Sequence, residues 1–377
     1  MQVPPQQITQ EKVRRYHCPG CGADLLFAPK DGALTCPYCG HREEIPQTAG
    51  QVVEERSYEE YLRLRPEQLE AMAPNALEVQ CNSCGALVTF TPPEVARSCD
   101  FCGAAIVAQP KSADPIVAPE AVLPFRLQKQ QATEVIRKWI SSRWFAPDAL
   151  KKFAQHEGID GVYLPYWTYD AYTTSHYTGE RGEYYYETEH YTETDAQGNR
   201  VEKTRQVRHT RWYSASGTVQ RWFDDILVPA TRSLPQNRLL ALEPWDMQEL
   251  KPYDPAFLSG YKAQRYQVGL PEGFEIAKQI AARVIEGDVR RDIGGDEQRI
   301  SNVQTHYSGI TFKHILMPVY VGAYRLNQKL YQVIVNGRTG EVQGDRPYSW
   351  IKIALFVMTI LFVLGFCALV AAIFGNN

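Results

Sequence analysis

Two hydrophobic periods alternate along this chain. "QQATEVIRKWISSRWFAPDALKKFAQ" gathers Val135, Ile136, Trp139 and Ile140 on one side of a helix. "GVYLPYWTYDAYTTSHYTGERGEYYYETEHYTET" then switches to the tyrosine- and threonine-rich pattern of strands. The cycle repeats. "GFEIAKQIAARVIEGDVRRDI" (273–293) reads as a helix, and "ITFKHILMPVYVGAYRLNQKLYQVIVNGRTGEVQGDRP" as strands. "YLPYWTYDAY" and "LMPVYVGAY" begin the strands alike, with Pro165 matching Pro318 and Trp167 matching Tyr320. Asn-Gly within "VNGRTGEV" marks a tight hairpin. The middle is therefore expected to be α+β, with two helix-plus-antiparallel-sheet lobes at 125–245 and 246–348. A proline-spotted linker (109–124) precedes them, and 47–76 holds a short polar helical linker, "SYEEYLRLRPEQLEAMAPN", broken at Pro66.

Ahead of the lobes lies a different kind of order. The chain of 377 residues has nine cysteines, and eight fall into two sets: Cys18, Cys21, Cys36, Cys39 and Cys81, Cys84, Cys99, Cys102. Both sets read C-x2-C-x14-C-x2-C, which predicts zinc ribbons at 14–46 and 77–108. Each C-x2-C turn aims two thiolates at one point. The glycine after the turn (Gly22, Gly40, Gly85, Gly103) lets backbone amides bend toward the sulfurs. Phe27 and Phe90 also correspond between the sets. A disulfide framework is the competing reading, but "MQVPPQQITQEKVRR" lacks the apolar core of a signal peptide. Every cysteine in each set is committed, so the two zinc ions expected are structural. His17 and His41 are surplus to the ligand sets.

At the other end, "IALFVMTILFVLGFCALVAAIF" (353–374) is an uncharged apolar run of 22 residues, the length of one bilayer-crossing helix, within an expected transmembrane segment 351–374. Tyr348, Trp350 and Lys352 precede it as interfacial anchors, with Arg338 and Arg346 upstream and no cation after it. The positive-inside rule then predicts a single-pass protein of the cytoplasmic membrane with its bulk in the cytoplasm. Cys367 reads as a small apolar residue of the span. Gly365, Ala368, Ala372 and Gly375 form a small-residue stripe through which copies of the helix could pack as a homo-oligomer.

The chain offers little for catalysis. It has no Gly-Lys pair and hence no phosphate-cradling P-loop, and no G-x-S-x-G, H-E-x-x-H or G-x-G-x-x-G. Asp224-Asp225 is expected to mark a turn or loop rather than a catalytic pair, because neighbours on a strand point to opposite faces. His176, His190 and His209 match no metal spacing. No enzyme is expected.

Nucleic acid is the rival partner, and charge argues against it. Five Lys/Arg meet five Asp/Glu between Glu11 and Pro46, two meet two between Val79 and Lys111, and the whole chain carries −3. The one basic stretch, "RVEKTRQVRHTRWY" (200–213), follows the acidic "EYYYETEHYTETD" (183–195) across "AQGN". Folded as a hairpin centred near Gln197, it sets Glu189 against Arg205 and Glu183 against Arg211.

"GVYLPYWTYDA", "RWFDDILVPATRSLP" and "YQVIVNGRTGEVQGDRP" make the chain resemble bacterial membrane-anchored tandem zinc-ribbon proteins. These carry TFIIB-type zinc-ribbon labels or are mislabelled as primosomal protein N′ (replication factor Y) helicases. The resemblance covers nearly the whole chain, most specifically 161–345. It implies a non-enzymatic membrane protein associated with SPFH (stomatin/flotillin-like) and phage-shock-protein-A-like proteins of envelope stress. The expected function is a cytoplasm-facing, membrane-anchored adaptor that docks partner proteins. The alternative is a membrane-attached nucleic-acid-binding protein related to replication factors but without a motor. A tyrosine-rich lobe that binds a ligand is a third reading, against which stands ordinary sheet packing.

Overall fold

A computed structural model describes residues 16–46, 53–63, 77–80, 87–90, 96–98, 101, 105–107, 117–142, 159–194, 198–326, 329–345 and 349–374. The first ribbon is a three-stranded antiparallel sheet of β1 (Leu26–Ala28), β2 (Ala33–Thr35) and β3 (Arg42–Glu43). β4 (Arg56–Ser57) runs into α1 (Tyr58–Leu62), capped by the Ser57 hydroxyl accepting from the Glu60 N–H. That single turn is all of the expected linker helix among the described residues, and Pro66 lies outside them. In the second ribbon, β5 (Leu77–Gln80) pairs with β6 (Leu87–Phe90), and β7 (Ala96–Ser98) with β8 (Ala105–Val107).

The body is one sheet. β9 (Ala121–Val122) and α2 (Lys129–Ser141) precede two very long strands, β10 (Asp160–Thr194) and β11 (Arg200–Pro229). α3 (Gln236–Leu240), β12 (Lys251–Pro252) and β13 (Lys262–Ala263) follow, then α4 (Leu270–Ile293) and β14 (Glu297–Leu326). β15 (Lys329–Asn336), β16 (Val342–Gly344) and α5 (Trp350–Phe374) complete the chain. The main sheet runs β11-β10-β14-β15-β16, antiparallel throughout.

The strands expected for two lobes thus share a single sheet, and the repeat explains how. The matching strand starts lie directly across from each other. Leu164 pairs with Met317, flanked by Tyr163 with Pro318 and Pro165 with Leu316. Each repeat's second strand, β11 or β15, lies outside its first. The Trp167 indole donates to the Val268 carbonyl (2.8 Å), just ahead of α4, while the Tyr320 hydroxyl donates to the Leu127 carbonyl (2.7 Å), just ahead of α2. A local twofold therefore relates the repeats, and each anchors the approach to the other's helix.

Strand alternation sorts the core. Tyr163 and Trp167 point to the face covered by α2 and α4; Val162, Leu164 and Tyr166 point to the opposite face, under Leu234, Leu239, Leu242 and Trp245. Ala132, Ile136 and Ile140 of α2 are buried as its periodicity predicts, and α4 buries Phe274, Ala277, Ala281, Ile285 and Val289.

Asp224 and Asp225 belong to β11 rather than to a turn or loop. Tyr169 pairs with Ile226 and Ala171 with Phe223, so two residues of β11 oppose Asp170 in a bulge, with Asp225 at φ 52°. The hairpin register is as expected: Glu189 faces Arg205 and Glu183 faces Arg211.

No helix among the described residues is long and apolar enough to cross a membrane. The transmembrane helix expected at 351–374 is therefore not established by the fold, because the side chains described for α5 end at Phe366. Around Gly365 the space is open. The side chains of Cys367, Ala368 and Ala372, and Gly375 itself, lie outside the described set.

Candidate metal centre

Two equivalent turns build the first ribbon's site. In one, the Cys18 N–H donates to the Ala23 carbonyl (2.7 Å) and the Gly22 N–H to the Cys18 carbonyl (2.9 Å). In the other, Cys36 donates to His41 (2.8 Å) and Gly40 to Cys36 (3.1 Å). Gly22 and Gly40 share φ 75°, a left-handed conformation that a Cβ would strain. The predicted glycine role is thus met in both knuckles.

The four sulfurs of Cys18, Cys21, Cys36 and Cys39 lie within 4.8 Å of one another, with Cys18–Cys39 at 3.3 Å and Cys21–Cys36 at 3.4 Å. Tetrahedral zinc with Zn–S bonds of about 2.3 Å needs sulfurs on the order of 3.8 Å apart, so the donor set fits. None of the four is in a disulfide. The chemistry of crowded thiols points the same way. The N–H groups of Cys39 and Tyr38 hold the Cys36 thiol down to about 6. The His41 N–H favours the Cys39 thiolate too, but Cys18 and Cys36 beside it push that thiol up to about 12. Four thiolates cannot share this point unless a cation neutralises them. Zinc there would be held by four protein sulfurs, a structural role.

His17 pairs with Asp24 (3.2 Å), outside the sulfur set. Cys81, Cys84, Cys99 and Cys102 lie outside the described residues. The other histidines do not converge. His176 shares a hydrogen bond with the Thr218 hydroxyl (2.8 Å), His209 stacks on Tyr185 (5.5 Å), and His190 faces Thr204.

The ribbon is mounted on the body. Leu25, Phe27 and Leu34 share one buried cluster with Val122, Phe125 and Tyr163. Phe27 meets Phe257 edge to face at 5.4 Å, its N–H donates to the Ser259 carbonyl (3.0 Å), and the Ser259 hydroxyl donates to the Leu25 carbonyl (2.6 Å). From the second ribbon, Phe101 is buried against the opposite face, where its carbonyl accepts from Gln332 (3.0 Å). Both dockings escaped sequence reasoning; the available signals were Phe27, inside the first ribbon, and Phe101, beside Cys102 in the second.

Sequence reasoning also missed an ionic cluster around a buried lysine. Lys313, its side chain only 8% exposed, contacts Asp225 (2.7 Å) and Glu55 (3.1 Å). Asp170 accepts from the Asp225 N–H (2.5 Å), and Thr311 Oγ1 lies 3.0 Å from both Asp170 and Glu55. Burial pushes Asp170 up to about 6, against the pull of the Asp225 N–H and Lys313. One hydroxyl hydrogen cannot serve two carboxylates, so a proton held on Asp170 fits the geometry. The cluster fastens the segment between the ribbons onto the sheet: β4 pairs with β14, and Arg56 contacts the buried Glu120 (2.8 Å).

Two known proteins are similar to this chain. It is 27% identical over 349 residues to the uncharacterized protein YdjG of Bacillus subtilis (strain 168), covering 90% of this chain and 92% of that one. It is 34% identical over 74 residues to transcription factor S of Methanocaldococcus jannaschii, covering 18% of this chain and 64% of that protein. No family model and no solved structure matches.

Proposed function

We propose that this protein is a zinc-carrying, non-enzymatic adaptor, anchored in the cytoplasmic membrane by its C-terminal helix, that docks partner proteins at the bilayer. The observation that carries the reading is the mounting of the first ribbon. Its inner side is fused to the body core through Phe27, while the outer knuckle presents Tyr38, 82% exposed, between two of the sulfurs. A metal-stiffened knuckle fixed on a rigid base costs little entropy on binding. By the same logic a zinc in the second ribbon's cysteines gives a second, related face, and two weak contacts on one chain reinforce each other.

The anchor is supported by α5, where Leu355, Phe356, Val357, Met358, Leu361 and Phe362 are all exposed around the helix. Its 25 residues reach roughly 37 Å at about 1.5 Å per residue, enough for a hydrocarbon core of about 30 Å. The partner class that the family resemblance implies is SPFH and phage-shock-protein-A-like proteins in envelope stress. The match to transcription factor S favours a second reading, nucleic-acid binding. Against it, cations of the basic strand are taken within the hairpin: Arg205 by Glu189 (2.8 Å), Lys203 by Glu193 (2.6 Å) and Arg208 by the face of Tyr184 (4.2 Å).

Purifying the full chain from detergent-solubilised membranes, with and without a zinc chelator, tests the proposal. The adaptor reading expects partner proteins, including an SPFH or phage-shock-type protein, that are lost on chelation. Recovery of nucleic acid released by salt, with no protein partner, would overturn it.

A further inference from the structure

The three longest strands form a blade, β11-β10-β14, with an outer edge on each side. Along β14, the edge away from β10 is covered in part: β4 pairs with Thr311–Phe312, β9 with Ile315–Leu316, and β15 with Val319–Leu326. Among the described residues nothing pairs with 300–309 on that side. Bulges at Ser301 and at Gly309–Ile310 bound its regular part, 302–308. Seven residues at about 3.3 Å each leave roughly 23 Å of strand edge, where among the described residues every second residue presents an N–H and C=O without a strand partner. Open edges of that length template pairing with another strand unless something blocks them.

The two edges of the blade are guarded differently. β11 carries Arg200, Lys203, Arg205, Arg208, Arg211 and Arg221 along its length. Lys203, Arg205 and Arg221 are ion-paired within the chain, so laying this strand antiparallel against its own copy would bring chiefly the cations Arg200, Arg208 and Arg211 together. From Ile300 to Phe312, β14 has no Asp, Glu, Lys or Arg at all. Its side chains there are Asn302, Gln304, His306 and Ser308 on the open face, with Val303, Thr305 and Tyr307 turned toward α4. Nor does α4 stand in the way. It lies chiefly over β11 and β10, held by Asp288 to Arg221 (2.5 Å) and Asp292 to Tyr177 (2.6 Å), and reaches β14 through Phe274 against Tyr307 (5.7 Å).

We propose that residues 300–309 are a docking edge for a second copy of this chain, pairing antiparallel about a twofold axis near Gln304. An isologous antiparallel pair sets each residue against itself or a near neighbour of its copy, which a charge-free stretch tolerates and a cationic one does not. The product is a continuous blade, β11-β10-β14 followed by the same three strands of the copy in reverse order. This edge is separate from α5, so the inference does not depend on how the chain is anchored.

The test is hydrogen exchange on the full chain in detergent, followed through the outward amides of 300–309 across a dilution series. In the unaltered protein these amides are expected to be protected at tens of micromolar and to lose protection on dilution. The variant Q304K/H306K, which sets lysine against lysine, is expected to weaken association at least about tenfold and to leave these amides open at the same concentrations. Retained protection in 172–182 of β10 shows that the variant is folded, and the dilution series on the unaltered chain stands independently of it. Protection that ignores dilution would mean that a segment of the same chain, not a second copy, covers the edge. No protection at any concentration would mean that the edge stays bare. Either result overturns the proposal.

Discussion

Lys313 occupies the middle of a strand whose neighbours, Phe312 and His314, are fully buried, and it stays charged because the carboxylates of Asp225 and Glu55 reach it. Burial alone would pull its ammonium down, but the bonds from Asp225 and Glu55 carry it above its ordinary value. Replacing Lys313 with Met removes the cation and strands the acids, for an expected loss of about 3–5 kcal/mol in urea unfolding. Asp170 tests the same cluster with the opposite sign. Its folded value of about 6 lies above the usual carboxylate range, so ionising it opposes folding. That stability is present below the usual carboxylate pKa and is lost as pH rises through about 6. Glu120, pushed by burial to about 7, adds a slope of the same sign, so the comparison must be with a variant. Asp170→Asn keeps the shape but cannot ionise. The melting temperature should fall less between pH 5 and pH 8 for the variant than for the parent, and parallel curves would show that Asp170 carries no proton in this cluster. Little of this was legible in advance. A lysine in "ITFKHILMP" is visible, but its partner Glu55 is 258 residues away, and Asp170 and Asp225 meet it through a bulge that composition does not signal.

Elements were read more securely where the pattern is local. The two amphipathic helices, the hairpin centred near Gln197 and the two glycine-backed knuckles of the first ribbon all follow from periodicity, charge order and φ demands within a few residues. What periodicity could not give was the pairing between repeats. The match of Pro165 with Pro318 showed a duplication, yet the strands of the two repeats pair with each other in one sheet, because that buries both starts at once. The first ribbon's docking was hidden for the same reason: it depends on Phe257 and Ser259, far along the chain. This docking changes what loss of metal should do. Zinc binding supplies most of the folding energy of so small a module. Replacing Cys36 with Ser is therefore expected to remove one of two zinc ions per chain and to expose the segment 255–263, whose Phe257 and Tyr261 pack on Phe27. Metal analysis and hydrogen exchange read the two effects. Loss of zinc with unchanged exchange at 255–263 would mean the ribbon is merely apposed to the body.

At the scale of the whole molecule, the parts sort along one direction. β10 alone spans roughly 115 Å at about 3.3 Å per residue, so the tyrosine-rich hairpin extends well past the sheet's core, while the ribbon and its knuckle sit at the other, broad end. The proposed anchor, α5, leaves from that broad end, shortly after β16 pairs with β15. A chain arranged this way would hold its zinc knuckle near the bilayer and its hairpin farther into the compartment that holds the body. Under the proposed reading, Arg338 and Lys352 lie on the side of α5 that the positive-inside rule places in the cytoplasm, and the body goes with them. Two fractionations check this. Deleting 350–377 should move the protein from the membrane pellet to the supernatant with its zinc retained, since neither ribbon includes the deleted residues. Protease added to intact spheroplasts should spare the exposed strand ends of the hairpin, 191–194 and 198–200, and should cut there once the membrane is opened. Cutting in intact spheroplasts would reverse the orientation, and a truncated chain that still pellets with lipid would show that another surface, not α5, holds the protein there.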